Sequence, residues 1–251
     1  MAAGKRTAKG VAESTTAGNK KIATTKNLKT LADEIFAEAY QARLAREPAK
    51  EIQYWVNHSK NAARFSEEVA KRAGMDVERA YANGLLHDVG RGISCGARHI
   101  TDGYRFLKEK GLDEQARICL THSFYPKTKL KNFGRAFSPE DYEFLRDFLA
   151  QVEYDDYDHL VQLADFMAGS SQGLICSIEK RFTSVLVRHH NQDAHLELSA
   201  LLGLKRYFSE KCGEDIYQIF ADEISQNSIS DYDEGVYRHI CENLDNGFLL
   251  Y

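Results

Sequence analysis

Proline is scarce in this chain, with only Pro48, Pro126 and Pro139 among 251 residues. Because proline inside a helix removes a backbone hydrogen bond and clashes with the preceding turn, its scarcity permits long helices almost everywhere. Runs that alternate apolar and polar residues, as half-buried strands require, are nearly absent. The sequence therefore predicts an all-α protein, and it contains no internal repeat.

Paired cysteines and long apolar runs are missing as well. The five cysteines are dispersed and none forms a Cys-x-x-Cys pair, which argues against a zinc-knuckle or thioredoxin-like site. An odd, scattered set is typical of a reducing compartment. No stretch comes near the roughly 18 apolar residues that cross a bilayer, and no signal core follows Met1. We therefore expect a cytoplasmic protein without a membrane partner.

The chain has no strong excess of charge of either sign, because it contains 33 Lys and Arg residues and 37 Asp and Glu residues. The net charge of -4 gives no reason to expect nucleic acid as a partner. Residues 1–25 differ from the rest, being rich in Ala, Gly, Thr and Lys with the single acid Glu13. Such a segment cannot bury enough apolar surface to become ordered, so we predict a disordered basic tail. A nucleic-acid-binding arm or a targeting peptide is the alternative.

Residues 26–251 are expected to form a single helical domain, with a core over 51–170 and a C-terminal helical extension over 171–251. Apolar residues near a 3.6-residue period predict its helices. The expected helices cover 27–47, 51–57, 58–73, 76–89, 97–110, 114–122, 139–152, 155–168, 174–190, 195–211, 213–225 and 233–244. The last four are expected to close one side of a pocket and are the candidate surface for a homodimer.

A His-Asp doublet, His87-Asp88, ends the apolar run Ala80–Leu86. Burying an ionised carboxylate costs several kcal/mol or more unless it is paired or bound to a metal, so the doublet needs a partner. A divalent cation is a common partner of this kind. A buried ion pair between the two residues is the alternative.

Further candidate ligands project inward from other predicted helices. His58 lies four residues before Ala62 on a buried stripe, and Asp165 is the single charge in the apolar run of its helix. A satisfied core histidine and a helix-face salt bridge are the respective alternatives. His99 and His122, on two further helices, are candidates to join the set.

These candidate ligands, in this order along the chain, resemble the pattern of the HD-domain superfamily of metal-dependent phosphohydrolases. The likeness covers about residues 55–170 and depends on His58, on Gly84-Leu85-Leu86-His87-Asp88-Val89-Gly90-Arg91 and on Leu163-Ala164-Asp165. The resemblance implies an HD-domain helical bundle, here with additional C-terminal helices. It also implies a first metal ion held by His58, His87, Asp88 and Asp165.

His99 and His122 look like the additional histidines of the two-metal members, which include bacterial hydrolases of diadenosine tetraphosphate. This likeness implies that Asp88 bridges to a second ion held by the two histidines. The chain departs from some of those members, which have adjacent histidines where Thr121-His122-Ser123 stands here. The departure implies a weaker or exchangeable second ion.

Imidazole and carboxylate ligands together suit Mn, Fe, Co, Ni or Zn, so one or two such ions are expected. A bound ion of this kind lowers the pKa of water from about 15.7 to roughly 7. We predict a phosphohydrolase that cleaves a phosphate ester or anhydride of a small, nucleotide-like substrate with metal-activated water. The predicted catalytic residues are Asp88, His87 and Arg91. The alternatives are a non-catalytic HD module that senses metal and nucleotide, and a nucleic-acid hydrolase or binder that uses residues 1–30.

Substrate binding is assigned to Arg91 and to the basic loop over 125–137. The loop carries Lys127, Lys129, Lys131 and Arg135 and no acid, and the three lysines are the predicted phosphate-binding residues. Pairing with an acid or capping of a carbonyl is the alternative for Arg91. A solvated surface is the alternative for the loop.

Overall fold

The computed structural model describes residues 27–169, 173–188 and 194–226. Within these residues the chain is helical and contains no β-strand, which confirms the predicted all-α class. The helices are α1 (Leu28–Leu44), α2 (Ala49–Arg72), α3 (Val77–Leu86), α4 (His99–Glu109), α5 (Asp113–Thr121), α6 (Pro139–Gln151), α7 (Asp156–Met167), α8 (Ile178–Arg188), α9 (Ala194–Cys212), α10 (Ile216–Ile219) and α11 (Ala221–Gln226). Short 3₁₀ segments cover Val89–Gly92, Gly96–Arg98 and Lys127–Phe133.

Several helices begin at residues with suitable capping chemistry. The side chains of Asn27, Asp76 and Ser138 each accept a hydrogen bond from the backbone N–H three residues on, at the starts of α1, α3 and α6. Gly74, with a φ of 68°, lies just beyond α2, in a conformation that glycine adopts at little cost. These boundaries agree with the sequence-based expectations.

One predicted break is wrong, because α2 runs continuously where two helices, 51–57 and 58–73, were expected. The polar pair His58-Ser59 interrupts the apolar period in the sequence. Both residues are nevertheless buried, since α2 packs against α3 on one side and α7 on another. A polar residue that finds partners in the interior does not need to end a helix.

Several other boundaries differ by a few residues, including the start of α8, which lies at Ile178 and not near residue 174. Helix α3 ends at Leu86 and not near Val89, and α4 begins at His99 after a 3₁₀ turn. Asp113 is the first residue of α5, whose N-cap is Leu112, and its carboxylate binds Lys108 Nζ. The predicted helix over 213–225 is two short helices that meet at Phe220.

Helix α2 lies between two apolar clusters and contributes to both. Phe65 packs with α7 and with the C-terminal helices, and its ring stacks on that of Phe220 at 4.8 Å between centroids. Trp55 packs on the opposite side, with α1 and α3. A third cluster joins α4, α5 and α6. This packing brings the His-bearing segments of α2, α3 and α4 together in the interior.

Two predicted segments, the tail over 1–25 and the helix over 233–244, lie outside the described residues. Among the described helices, none combines the length and the apolar composition that crossing a membrane requires.

Candidate metal centre

The His-Asp doublet lies where α3 ends and the chain turns into a 3₁₀ segment. The backbone N–H of His87 still donates to Asn83 O, and the backbone carbonyl of Asp88 accepts from Trp55 Nε1 at 3.1 Å. Both doublet side chains are buried. The two functional groups are therefore held by the backbone and by α2 in the centre of the bundle.

Two glycines allow the neighbouring helices to approach the doublet. A Cβ on Gly84 would lie 2.6 Å from the backbone oxygen of Ala62 in α2. A Cβ on Gly90 would collide with the backbone carbonyl of His99 at the start of α4. Side chains at either position would push α2 or α4 away, and with them His58 or His99.

A first cluster of ligand atoms gathers on one side of Asp88. His58 Nε2 lies 3.1 Å from His87 Nε2 and 3.0 Å from Asp165 Oδ1. Asp88 Oδ2 lies 3.7 Å from His58 Nε2 and 3.8 Å from His87 Nε2. Ligands about 2.0–2.2 Å from one ion lie roughly 3 to 4 Å from one another, so His58, His87 and Asp88 match a single metal site. Asp165 Oδ1 lies next to this group, 3.0 Å from His58 Nε2 and 3.5 Å from His87 Nε2.

A second cluster lies on the other side of the same carboxylate. Asp88 Oδ1 is 2.9 Å from His99 Nε2 and 3.6 Å from His122 Nε2. Asp88 Oδ1 and His99 Nε2 are buried, and neither has a hydrogen-bond partner. Buried polar atoms of native proteins almost always have a partner, so this orphaned pair fits a cation bound by both atoms. The two oxygens of Asp88 thus face two groups of imidazoles, as in a bridging carboxylate.

The imidazole rings are oriented for metal binding through Nε2. Each Nδ1 faces a backbone carbonyl oxygen, to which it donates when it carries the proton. The pairs are His58 with Ala168 at 3.3 Å, His87 with Gly84 at 2.7 Å, His99 with Gly96 at 2.6 Å and His122 with Cys119 at 2.9 Å. Such contacts select the tautomer whose Nε2 lone pair is available to a metal ion.

The protonation states of the two carboxylates and of His122 also suit a metal site, whereas Asp88 and Asp165 outweigh burial and raise the pKa of His87. Burial alone would raise the pKa of Asp88, but Arg91 and His99 outweigh it and hold this pKa well below its ordinary value. His58 and His87 have the same effect on the pKa of Asp165. Burial lowers the pKa of His122 to about 3, which leaves its ring neutral at physiological pH. Ionised carboxylates and neutral imidazole are the forms that bind metal.

A cavity of about 210 Å³ opens beside the first cluster. Asp165, whose side chain is 29% exposed, faces it. The lining consists of Arg43, Glu51, Tyr54, Trp55, His58, Asp88, Arg91, Asp165 and Arg181. A small molecule can therefore reach the ligand atoms from this cleft.

Arg91 lies in this cleft, as expected, and its Nε–H donates to Asp88 Oδ2 at 2.5 Å. Sequence reasoning missed Arg43, Tyr54 and Arg181, which come from α1, α2 and α8. No spacing relative to the His-Asp doublet marks these three residues in the sequence. Only helix packing brings them to the site.

The predicted phosphate-binding lysines lie elsewhere. Lys127 Nζ donates to Val152 O at 2.5 Å, and Lys129 Nζ lies 2.5 Å from a carboxylate oxygen of buried Glu197. None of Lys127, Lys129 and Lys131 lines the cleft within the described part of the chain. Their role in substrate binding stays a prediction.

Comparison with known proteins shows limited similarity. A stretch of 93 residues is 34% identical to an uncharacterized protein of Methanocaldococcus jannaschii and covers 35% of this chain and 55% of that protein. A stretch of 62 residues is 32% identical to a tRNA (cytidine(56)-2'-O)-methyltransferase of Thermoplasma volcanium and covers 25% of this chain and 18% of that enzyme. The chain thus spans about half the length of the first relative and under a fifth of the second. No solved structure matches it significantly.

The family comparison is more informative. Residues 55–168 match the model of the HD domain family, and they include all six His and Asp side chains of the two clusters. The match begins in α2 and ends just after α7, so it coincides with the helices that carry those side chains. The match to the HD domain family therefore covers residues 55–168, a little under half of the chain.

Proposed function

We propose that this protein is a metal-dependent phosphohydrolase that cleaves a phosphate ester or anhydride of a small, nucleotide-like substrate. The observation that carries the proposal is the placement of Asp88, whose two oxygens face two groups of imidazoles beside an open cleft. The HD domain itself supports membership of a superfamily of metal-dependent phosphohydrolases. The reaction and the substrate belong to the proposal.

The residues would hold one or two divalent ions of Mn, Fe, Co, Ni or Zn. His58, His87, Asp88 and Asp165 would bind the first ion, and Asp88, His99 and His122 the second. When bound, such ions lower the pKa of water and neutralise charge on a phosphoryl group. Asp88 would be the ligand that the two ions share.

Other side chains would bind and orient the substrate. Arg91 holds Asp88 Oδ2 through Nε and lines the cleft, where guanidinium N–H groups suit phosphoryl oxygens. Tyr54, which is 46% exposed, lies at the same cleft and offers an aromatic face to a flat base. The cavity, about 210 Å³, is smaller than typical drug-sized sites of about 300–1,000 Å³. We infer that it accepts the phosphoryl end of the substrate and leaves the remainder near the opening.

The cellular location and the oligomeric state of the protein are also part of the proposal. The four cysteines within the described residues are free thiols, and burial raises the pKa of Cys176 to about 11. Free thiols favour the cytoplasmic location that the dispersed cysteines suggest. A homodimer through the C-terminal helices remains a prediction.

The test is metal analysis of the purified protein together with a panel of phosphorylated substrates assayed with added Mn. We expect metal in the parent protein and release of phosphate from at least one small substrate. Asp88→Ala should lose the metal and abolish turnover, while helix content by circular dichroism is retained. Asp147→Ala, which removes an exposed carboxylate on α6, is the matched control.

Two outcomes would contradict the proposal. Full metal content and full activity in Asp88→Ala would exclude the assigned centre. Binding of metal and nucleotide by the parent protein without turnover on any substrate would instead support the non-catalytic sensor.

A further inference from the structure

Three arginines from separate parts of the chain meet at the cleft of the metal centre. Arg43 comes from the last turn of α1, Arg91 from the 3₁₀ segment after the doublet and Arg181 from α8. Three acids, Glu51, Asp88 and Asp165, line the same cleft. The charges of the lining therefore cancel, and a divalent ion bound by the first cluster would leave an excess of two positive charges facing the cavity. Such a cleft favours a ligand with several negative charges.

The guanidinium of Arg181 lacks the hydrogen bonds and ion pairs that most of the other described arginines form. Its Nε is buried and has no hydrogen-bond partner, and Arg181 forms no ion pair within the described part of the chain. By contrast, Arg91 is bound to Asp88. Arg43 also has a buried Nε without a partner, but its Nη2 donates to Glu47 and its guanidinium lies over the ring of Trp55. A buried cationic donor without an acceptor is unfavourable, so a ligand with acceptor oxygens is the expected partner.

The position of Arg181 is set by packing that is independent of any ligand. Its neighbour Phe182 packs its ring against Phe166, the residue after Asp165, with centroids 6.5 Å apart. The guanidinium lies over Gly169, where a Cβ would be 2.5 Å from Arg181 Cζ and 2.8 Å from Nη2. The carbonyl of Ala168, in the same turn, faces His58 Nδ1. The end of α7 thus positions the ligands Asp165 and His58 and the guanidinium of Arg181 side by side.

We propose that Arg181, with Arg43 and Arg91, forms an anion receptor that binds the phosphoryl oxygens of the substrate next to the metal ligands. This inference rests on the proposed function and specifies its substrate as one with a terminal, highly charged phosphoryl group. Planar guanidinium groups bind such oxygens through two parallel N–H donors. In this arrangement Arg181 is a substrate-binding residue supplied from outside the residues that match the HD family.

The experiment measures the binding of inorganic phosphate to the Mn-loaded protein by calorimetry, together with metal content, kcat and KM. Two variants act on Arg181 in different ways. Arg181→Gln removes the charge, whereas Gly169→Ala keeps the charge and displaces the guanidinium with an added methyl group. Arg206→Gln, which removes an exposed arginine of α9 paired with Glu210, is the control for the loss of one charge. Thermal midpoints establish that each variant is folded.

We expect Arg181→Gln and Gly169→Ala to weaken phosphate binding at least tenfold without changing the metal content. KM for the hydrolysed substrate should rise more than kcat falls, and Arg181→Lys should recover only part of the affinity. Arg206→Gln should match the parent protein. If Arg181→Gln does not fold, Gly169→Ala decides the question, because it retains the arginine.

Unchanged phosphate affinity in both variants would overturn the inference, as would a parent protein that fails to bind phosphate at millimolar concentration. Loss of metal in Arg181→Gln would also overturn it, since the arginine would then support the ligands and not the anion. The two proposals fail separately. If phosphate binding depends on Arg181 but the protein shows no turnover, the proposed phosphohydrolase activity is refuted and the proposed anion receptor is retained. Turnover with normal KM in Arg181→Gln would refute the receptor alone.

Discussion

Asp88 and His99 face each other across 2.9 Å, from Oδ1 to Nε2, in the interior of the protein. Neither atom has a hydrogen-bond partner, although the other oxygen of Asp88 accepts from Arg91 and faces His58 and His87. A single carboxylate therefore connects two sets of imidazole nitrogens. This arrangement makes the two halves of the centre separable by mutation.

His99→Ala should reduce the metal content by about one ion per chain and leave the first ion in place. His58, His87 and Asp165 keep their positions on α2, α3 and α7, so the first set of ligands remains intact. Losing an ion that stabilises developing charge costs several kcal/mol, which corresponds to a fall in kcat of at least about a hundredfold. Metal analysis beside kcat measures both effects.

His195→Ala is the control for that experiment, because His195 is an exposed residue of α9. A His99→Ala protein with the full metal content of the parent would show that the second cluster does not hold an ion.

Replacing Lys127, Lys129 and Lys131 by Ala should raise KM more than it lowers kcat. The three lysines form the basic stretch that follows His122, and Lys127 and Lys131 are exposed. Exposed charges attract anions over a distance that salt shortens. The effect should therefore shrink as ionic strength increases. KM measured at low and at high salt checks the prediction.

Lys129→Ala alone separates binding from folding, because Lys129 Nζ lies 2.5 Å from the carboxylate of buried Glu197. We expect this variant to lower the thermal midpoint. An unchanged KM at low salt in the triple variant would show that the loop is only a solvated surface.

Deleting residues 1–25 should leave kcat and the thermal midpoint nearly unchanged. The segment is poor in large apolar side chains and lies far in sequence from the six candidate ligands. Steady-state kinetics and thermal unfolding of the shortened chain check this. An activity loss of severalfold would show that the tail belongs to the site.

Glu223→Gln should lower the free energy of unfolding by about 1 kcal/mol at neutral pH. The Glu223 carboxylate binds both terminal nitrogens of Arg64 at 2.6 Å and accepts from the backbone N–H of Ile175, which fastens α11 to α2. Because Arg64 is 45% exposed, solvent screening keeps the effect modest. Denaturant unfolding of both proteins measures the difference.

The contribution of this contact to the free energy of unfolding should change with pH in one direction. Burial would raise the pKa of Glu223, but Arg64 and Ile175 N–H outweigh it and lower this pKa from its ordinary value of 4.5. A carboxyl with a depressed folded-state pKa stabilises the fold above its unfolded pKa, and loses that effect as pH falls through the folded pKa. The difference between parent and variant should therefore be full above about pH 4.5 and shrink below it. A difference that grows on acidification would contradict this role.

The sequence by itself determined the helical class and several boundaries of the helices. Caps such as Asp76 and Ser138, and the stop at Gly74, act on neighbouring backbone groups, so local sequence indicates where these helices begin and end. The His-Asp doublet was recognisable because charge at the end of an apolar run demands a partner. The candidate ligand set was inferred from the resemblance of its order to the HD-domain pattern, and the fold brings these side chains together.

Tertiary structure alone decided what else surrounds the centre. Helix periodicity shows which face of a segment is buried but not which helix it meets, so α8 carried no sign that Arg181 would reach the cleft. The ring of Phe182 against Phe166 and the space left by Gly169 place that guanidinium. For the same reason the sequence could not show that Lys129 meets Glu197, a residue of α9. Contacts between segments far apart in the chain arise from the packing of whole helices, which no local pattern encodes.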